Sequence, residues 1–242
     1  LTKPVTPYSD AADSKKEQVT QMFDNIAPSY DLLNRALSLG IDVSWRRKAV
    51  SLLKDYEPER MLDIATGTAD FAMEAARLQP REIIGIDIAH QMLTIGREKI
   101  RKAHLHQMID LIGGDAENLE FPEDYFDAIT IGFGVRNFEN LEKGLQEVHR
   151  VLKPGKACVI LEPSYPTRFP LKQLFALHFR VITPLIGKII SGDNRAYQYL
   201  PESVKAFPHG KEFVDICLRI GFSQAKYIPL TFGICALYLL EK

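Results

Sequence analysis

Between Gln18 and Tyr56 the apolar residues recur at helical spacings: Val19, Met22, Phe23 and Ile26, then Leu32, Leu33 and Leu37, then Val43, Trp45, Ala49, Val50 and Leu53. Pro28 and Gly40 interrupt them, so residues 18–57 read as a preamble of short helices. After Pro58 the pattern changes to short, continuous apolar runs that end in Gly or Asp: Met61–Ala65, Ile83–Ile86, Ile109–Ile112, Ala128–Ile131 and Ala157–Leu161. Amphipathic stretches near 69–79, 89–103 and 140–152 separate them and predict helices. A strand with one face in water alternates, whereas these runs do not, so they predict a parallel sheet covered on both faces. Lys153-Pro154-Gly155 supplies the Pro and Gly of a type II turn before the fifth strand.

The chain closes with a helix near Lys211–Ile220, Gly221 as its C-cap, and two apolar runs, Ala225–Leu230 and Ile234–Leu240. No helical stretch separates those runs, so they are expected to pair as an antiparallel hairpin at a sheet edge. The predicted fold class is therefore α/β: a doubly wound, seven-stranded, mostly parallel sheet with an antiparallel C-terminal hairpin. Residues 169–190 are apolar but carry Lys172, Arg180, Pro184 and Lys188, which a spanning helix tolerates poorly, so they read as an inserted lid. The organisation expected is a polar tail over 1–17 and one domain over 18–242. That domain divides into the preamble (18–57), a cofactor half (58–168), a lid and acceptor region (169–209) and a final helix and hairpin (210–242).

Composition narrows the function classes. Of 242 residues 46% are apolar and 25% charged, with 30 Lys and Arg against 31 Asp and Glu. That balance suits a globular enzyme and lacks the basic excess of a dedicated nucleic-acid binder. Cys158, Cys217 and Cys235 are odd in number and set in apolar strings, which fits neither a disulfide framework nor a zinc site and points to a reducing cytoplasm. Neither a signal peptide nor a run of about 18 apolar residues is seen, so a soluble, cytoplasmic protein is expected.

In open parallel sheets ligands sit beyond the carboxyl ends of the strands, and four such ends carry candidate chemistry. The first is Asp63-Ile64-Ala65-Thr66-Gly67-Thr68, with one glycine where a dinucleotide fingerprint needs three, so NAD is disfavoured. An acidic strand residue followed by small residues suits a nucleoside that bears an amino acid and no phosphate. Asp87 closes the second strand twenty residues after Gly67, the spacing at which a carboxylate meets ribose hydroxyls; its alternative is an N-cap of the helix after Ile88. Asp115-Ala116 closes the third, where a carboxylate and the next amide can read adenine, or where Asp115 merely builds a turn. The fourth runs Gly132-Phe133-Gly134-Val135-Arg136-Asn137 and places an arginine at the mouth of the sheet.

Four stretches carry a resemblance. Tyr30-Asp31-Leu32-Leu33-Asn34 is followed by Ser38, Gly40, Asp42 and Trp45-Arg46, and Arg150-Val151-Leu152-Lys153-Pro154-Gly155-Lys156 leads to Leu161-Glu162-Pro163-Ser164. Phe133 to Asn137 and Tyr197-Gln198-Tyr199-Leu200-Pro201-Glu202-Ser203 complete the set. On these residues the chain resembles, over 18–241, the class I S-adenosyl-L-methionine-dependent methyltransferases, and among them the quinone-biosynthesis C-methyltransferases. It departs from the family pattern at Leu33, Lys156 and Cys158. The family loop Gly-Gly-Thr-Gly-Asp is here Thr66-Gly67-Thr68-Ala69-Asp70, so Thr68 matches the cofactor threonine with fewer glycines around it. Gly132 replaces a serine of some members and leaves only a backbone contact.

Together these readings expect S-adenosyl-L-methionine, without metal, at Tyr30, Asp63, Gly67, Thr68, Asp87, Ile88, Asp115, Ala116 and Gly132. The resemblance implies methyl transfer to a ring carbon of a reduced, lipophilic quinol. Arg136 would stabilise the quinolate oxygen with Asn137 orienting the ring, or Arg136 would only pair with Glu139 or Glu162. Asp31, Asp42, His178 and Tyr197 are the candidate bases. The apolar 169–190 segment fits peripheral contact at the inner face of the membrane, cover for an isoprenoid tail, or a homodimer interface. The alternatives to a demethylmenaquinol methyltransferase are a ubiquinone-pathway benzoquinol enzyme, another small-molecule methyltransferase, or an idle binding protein of the same fold.

Overall fold

The computed structural model describes residues 5–8, 13–166, 173 and 194–242. Seven strands form one sheet in the order β3-β2-β1-β4-β5-β7-β6. They are β1 (Arg60–Ile64), β2 (Glu82–Asp87), β3 (Ile109–Gly113), β4 (Phe126–Gly132), β5 (Leu152–Pro163), β6 (Gln224–Leu230) and β7 (Cys235–Glu241). Strands β1 to β5 pair in parallel. Strand β7 slots antiparallel between β5 and β6, so the expected edge hairpin is present. The order reverses between β1 and β4, which opens a crevice above their carboxyl ends.

Strand residues alternate between two cores, as the pleat requires. Leu62, Ile64, Ile129, Ile131 and Tyr238 pack with α6 (Leu141–Val151) and a C-terminal helix (Lys211–Ile220). Met61, Ile83, Ala128, Val159 and Leu237 pack with α3 (Asp42–Leu52), α4 (Asp70–Ala75) and α5 (His90–Lys102). Both faces are covered, which is why the strands read as unbroken apolar runs. Gly221, at φ 127°, ends the C-terminal helix as expected.

Helix α1 (Lys15–Ile26) begins inside the stretch read as tail. Ser14 and Glu17 form a capping box: the Glu17 amide donates to the Ser14 hydroxyl at 3.2 Å, and the Ser14 amide to the Glu17 carboxylate at 2.8 Å. With α2 (Tyr30–Ser38), α1 packs Val19, Met22, Ile26 and Leu33 over Ala89 and Met92, roofing the crevice. The Lys-Pro-Gly turn is a bulge inside β5: Phe126 pairs with Leu152 but Ala128 with Ala157. Gly155 supplies the left-handed backbone there at φ 72°, and its amide donates to the Lys242 carbonyl at 2.9 Å. The predicted lid over 169–190 and His178 lie outside the described residues, apart from Gln173, which is helical. Tyr197 lies in α7 (Asn194–Ala206), before α8 (Lys211–Ile220), and its side chain is likewise outside the description.

Candidate active site

The turn after β1 passes through left-handed backbone at Ala65, Gly67 and Ala69, with φ of 53°, 55° and 68°. Asp63 anchors it from below. Its carboxylate accepts from Thr66 Oγ1 and Thr130 Oγ1, each at 2.6 Å, and from the Ala72 amide at 3.1 Å. At 1% exposure Asp63 borders none of the three cavities described below, so the structure places it beneath the loop rather than in a cavity wall. On an alternating strand it faces the α3–α5 layer, and that burial pushes its pKa up to about 6.

Above the turn lies a cavity of about 680 Å³. Tyr30, Gly67, Asp87, Ile88, Asp115, Ala116 and Gly132 all border it, so seven of the nine expected cofactor residues converge there. Asp87 Oδ2 accepts from the Gly67 amide and Oδ1 from the Ala89 amide, both at 2.8 Å, which fixes the carboxylate between two loops. It is not the N-cap of α5, since Ala89 holds that position. Desolvation pushes Asp87 up to about 6 against the pull of those amides. Asp115 both builds its turn, accepting from the Glu117 amide at 2.9 Å, and binds Lys16 Nζ of α1 at 2.7 Å.

A smaller cavity of about 400 Å³ adjoins it, bordered by Asn34, Arg46, Thr68 and Asp70. Thr68 therefore lies at this end, with its hydroxyl donated to Asp31 Oδ1. Asp31 also pairs with Lys99 at 2.7 Å and borders none of the three cavities. Lys99 reaches Asp70 as well, and Arg46 bridges Asp70 at 3.1 Å and Asp42 more closely.

The third cavity, about 1070 Å³, is mostly apolar, with Met22, Leu33, Leu37 and Trp45 in its wall. Arg136 borders it. One guanidinium nitrogen bonds Glu162 Oε2 at 3.0 Å and the Phe133 carbonyl, while its buried Nε has no partner among the described residues. Glu162 is fully buried, and burial raises its carboxyl pKa against the opposing pull of Arg136. The pairing weighed from sequence is thus real, and it still leaves Arg136 in the cavity wall. Asn137 borders the first cavity, donates to the Phe133 carbonyl at 3.4 Å and accepts from the Tyr199 hydroxyl at 3.0 Å. Tyr199, Glu162 and Lys99 were not chosen as site residues from sequence. The first two sit within quoted stretches, whereas Lys99 carried no signal.

Asp42 also borders the apolar cavity, where it accepts from Ser38 Oγ at 2.7 Å. Tyr30 and Phe133 border all three cavities. Among the described residues, no group of three or more His, Cys, Asp or Glu side chains is placed to hold a metal ion.

A family model described as the ubiE/COQ5 methyltransferase family matches residues 11–242. The chain is 52% identical over 240 residues to the demethylmenaquinone methyltransferase of Bacteroides fragilis, covering 98% of this chain and 97% of that one. It is 42% identical over 230 residues to the ubiquinone/menaquinone biosynthesis C-methyltransferase UbiE of Geobacter sulfurreducens, covering 94% and 90%. A solved SAM-dependent methyltransferase from Thermotoga maritima is similar at a TM-score of 0.63 and 18% identity, covering 92% of this chain and 99% of that one. At that identity the likeness shows the fold.

Proposed function

The chain belongs to the ubiE/COQ5 methyltransferase family, and from that premise we propose that it methylates a ring carbon of a reduced, lipophilic quinol with S-adenosyl-L-methionine as donor. Demethylmenaquinol is the acceptor, after the name of the Bacteroides fragilis relative. The observation that carries this reading is the joining of a carboxylate-lined cavity, holding Asp87 at ribose spacing, to a large apolar one with Arg136 in its wall.

The residues present fit the donor. Asp87 would take the ribose hydroxyls, and Asp115 with the Ala116 amide would take the adenine edge. Arg46 and Asp70, of opposite charge at one end, suit a zwitterionic amino-acid arm. When bound, S-adenosyl-L-methionine supplies an electrophilic methyl group on a sulfonium. The chain itself has to hold the acceptor in line with that methyl and exclude water, which the apolar wall does. Arg136, preorganised by Glu162, stabilises the phenolate oxygen of the acceptor. Asn137 borders the donor cavity and reaches the acceptor side only through Tyr199, which donates to it and lines the apolar cavity. Among the described residues Asp42 is the candidate base that borders the acceptor cavity, with the Ser38 hydroxyl on its carboxylate as a relay.

A quinone ring is electron-poor and cannot attack the methyl, whereas the quinol places oxygen lone-pair density on the reacting carbon. Methyl transfer measured anaerobically with labelled donor should therefore require a dithionite-reduced acceptor, and should favour a naphthoquinol with an isoprenoid tail over a tailless one. Equal rates on the oxidised ring would overturn the mechanism, and a preference for benzoquinol would move the enzyme to the ubiquinone pathway. Because the acceptor is lipophilic, we place the enzyme in the cytoplasm, in peripheral contact with the inner face of the membrane. Among the described residues no helix is long and apolar enough to cross one.

A further inference from the structure

The three cavities differ in chemistry and meet at one place. One offers carboxylates to a nucleoside, one offers Arg46 and Asp70 to an amino-acid arm, and the third is apolar. A sulfonium has three substituents of those same three kinds: the adenosyl arm, the amino-acid arm and the methyl group. A bound donor would therefore part its three arms at the junction, and the two residues bordering all three cavities are aromatic, Tyr30 and Phe133.

Phe133 is held at this junction by a device that the chain maintains against strain. Its φ is 59°, left-handed backbone that a bulky side chain rarely adopts. Its neighbours admit no side chain: a Cβ on Gly132 would meet Phe71 Cδ1 at 2.8 Å, and one on Gly134 would meet Ala65 Cβ at 2.5 Å. The Phe133 amide donates to the Leu161 carbonyl at 2.7 Å, and its carbonyl accepts from Arg136 and Asn137. Trp45 meets the ring edge-on at 6.4 Å between centroids and is fixed in turn by its indole N–H on Thr231 Oγ1 at 2.7 Å. These contacts fix the Phe133 backbone and one side of its ring at the junction.

We propose that Phe133 is the residue by which the enzyme tells its charged methyl donor from the neutral product, its ring face attracting the sulfonium and losing that attraction once the methyl has left. The inference rests on the reading of S-adenosyl-L-methionine as donor. An aromatic face attracts a cation through its quadrupole, and a thioether of the same shape receives only dispersion. Such a contact also differs from a carboxylate in the same position: it recognises the cation without the strong ground-state attraction that would oppose loss of charge in the transition state. Product therefore leaves more readily than donor.

The test compares affinities rather than rates. Calorimetry on wild type, Phe133→Leu and Phe133→Tyr with S-adenosyl-L-methionine and S-adenosyl-L-homocysteine separates charge recognition from packing. Phe133→Leu should weaken donor binding by between about three-fold and thirty-fold, the range of cation–π contacts, with product binding changed by less than about two-fold. Phe133→Tyr should restore the wild-type ratio. If Phe133→Leu does not fold, as loss of product binding would show, replacement of Phe133 by its mono-, di- and trifluorinated analogues keeps the shape and weakens the quadrupole stepwise. The donor-to-product affinity ratio should then fall with each fluorine. A ratio that stays constant across these proteins overturns the assignment and leaves Phe133 as packing. Failure of wild type to bind either ligand would instead remove the donor reading on which the inference stands.

Discussion

Replacing Asp87 with Asn should remove cofactor affinity and also a pH slope in stability, and the slope is the sharper test. Burial moves this carboxyl from 3.8 to about 6 in the folded chain. With the folded pKa above the unfolded one, the folded state holds more protons between about pH 4 and 6, so stability falls as pH rises through that window. The cost is absent below about pH 4 and complete above about pH 6. At 1.36 kcal/mol per unit it reaches at most about 3 kcal/mol. Asn titrates nowhere in this range, so the stability of Asp87→Asn relative to the parent should rise by up to that amount between pH 4 and 7. A constant offset is superimposed, because an amide oxygen can accept from only one of the Gly67 and Ala89 amides, at a cost of about 1–3 kcal/mol for the other. Asp63, also near 6, titrates in both proteins and cancels to first order. Urea unfolding at half-unit pH intervals without ligand measures the difference directly. Parallel stability curves would show that Asp87 is not held above its ordinary value. Donor binding provides a second readout: since the ribose hydroxyls need the ionised form, wild-type affinity should fall about ten-fold per pH unit below about 6, while the residual affinity of the variant stays flat.

Arg136→Ala should lower turnover by about 10² or more and leave donor affinity within about two-fold, because the residue borders the acceptor cavity; turnover near wild type at saturating acceptor would pass its role elsewhere. Glu162→Gln strands a buried guanidinium and should cost about 3–5 kcal/mol in urea unfolding, against no measurable change if Arg136 simply turned to solvent. Gly85→Ala puts a Cβ 2.4 Å from Leu111 Cδ2 and 2.9 Å from Thr66 Oγ1, so a loss of about 1–3 kcal/mol is expected in thermal unfolding; an unchanged midpoint would mean that the sheet and the cofactor loop yield freely there.

What could be read from the sequence follows from how local each signal is. The five parallel strands were legible because two-sided burial leaves unbroken apolar runs, and the hairpin because only a short turn, Thr231–Gly233, lies between β6 and β7. The bulge in β5 was not, since its register depends on Lys242 bonding Gly155 and Lys156 from the far end of the chain. The start of α1 was legible in principle, as Ser14 and Glu17 stand three apart, but a polar, proline-bearing context hid it. That strand-end residues such as Asp87 and Asp115 line one cavity was legible because the topology of parallel sheets opens a crevice at those ends. The burial of Asp63 under the loop was not legible, because a strand residue one step from the crest faces a neighbouring layer. The network joining Asp31, Lys99, Asp70, Arg46 and Asp42 draws on four helices, and no spacing rule reaches across them.

That network bears on why this fold performs this chemistry. The strand ends hold groups suited to a nucleoside, as many unrelated proteins of this architecture do, and such a fold implies no particular acceptor. The acceptor cavity is walled largely by the preamble, through Met22, Leu33, Leu37, Asp42 and Trp45. Lys99 on Asp31 and Arg46 on Asp70 bind that preamble to the cofactor half, so the two halves of the site hold one relative position. These charges surround the amino-acid end of the site, whereas the junction common to all three cavities is bordered by Tyr30 and Phe133. Methyl transfer consumes positive charge, so a carboxylate at the junction would stabilise the reactant more than the transition state. Ion pairs set to one side and aromatic rings at the junction meet both demands, fixing the geometry without deepening the ground state.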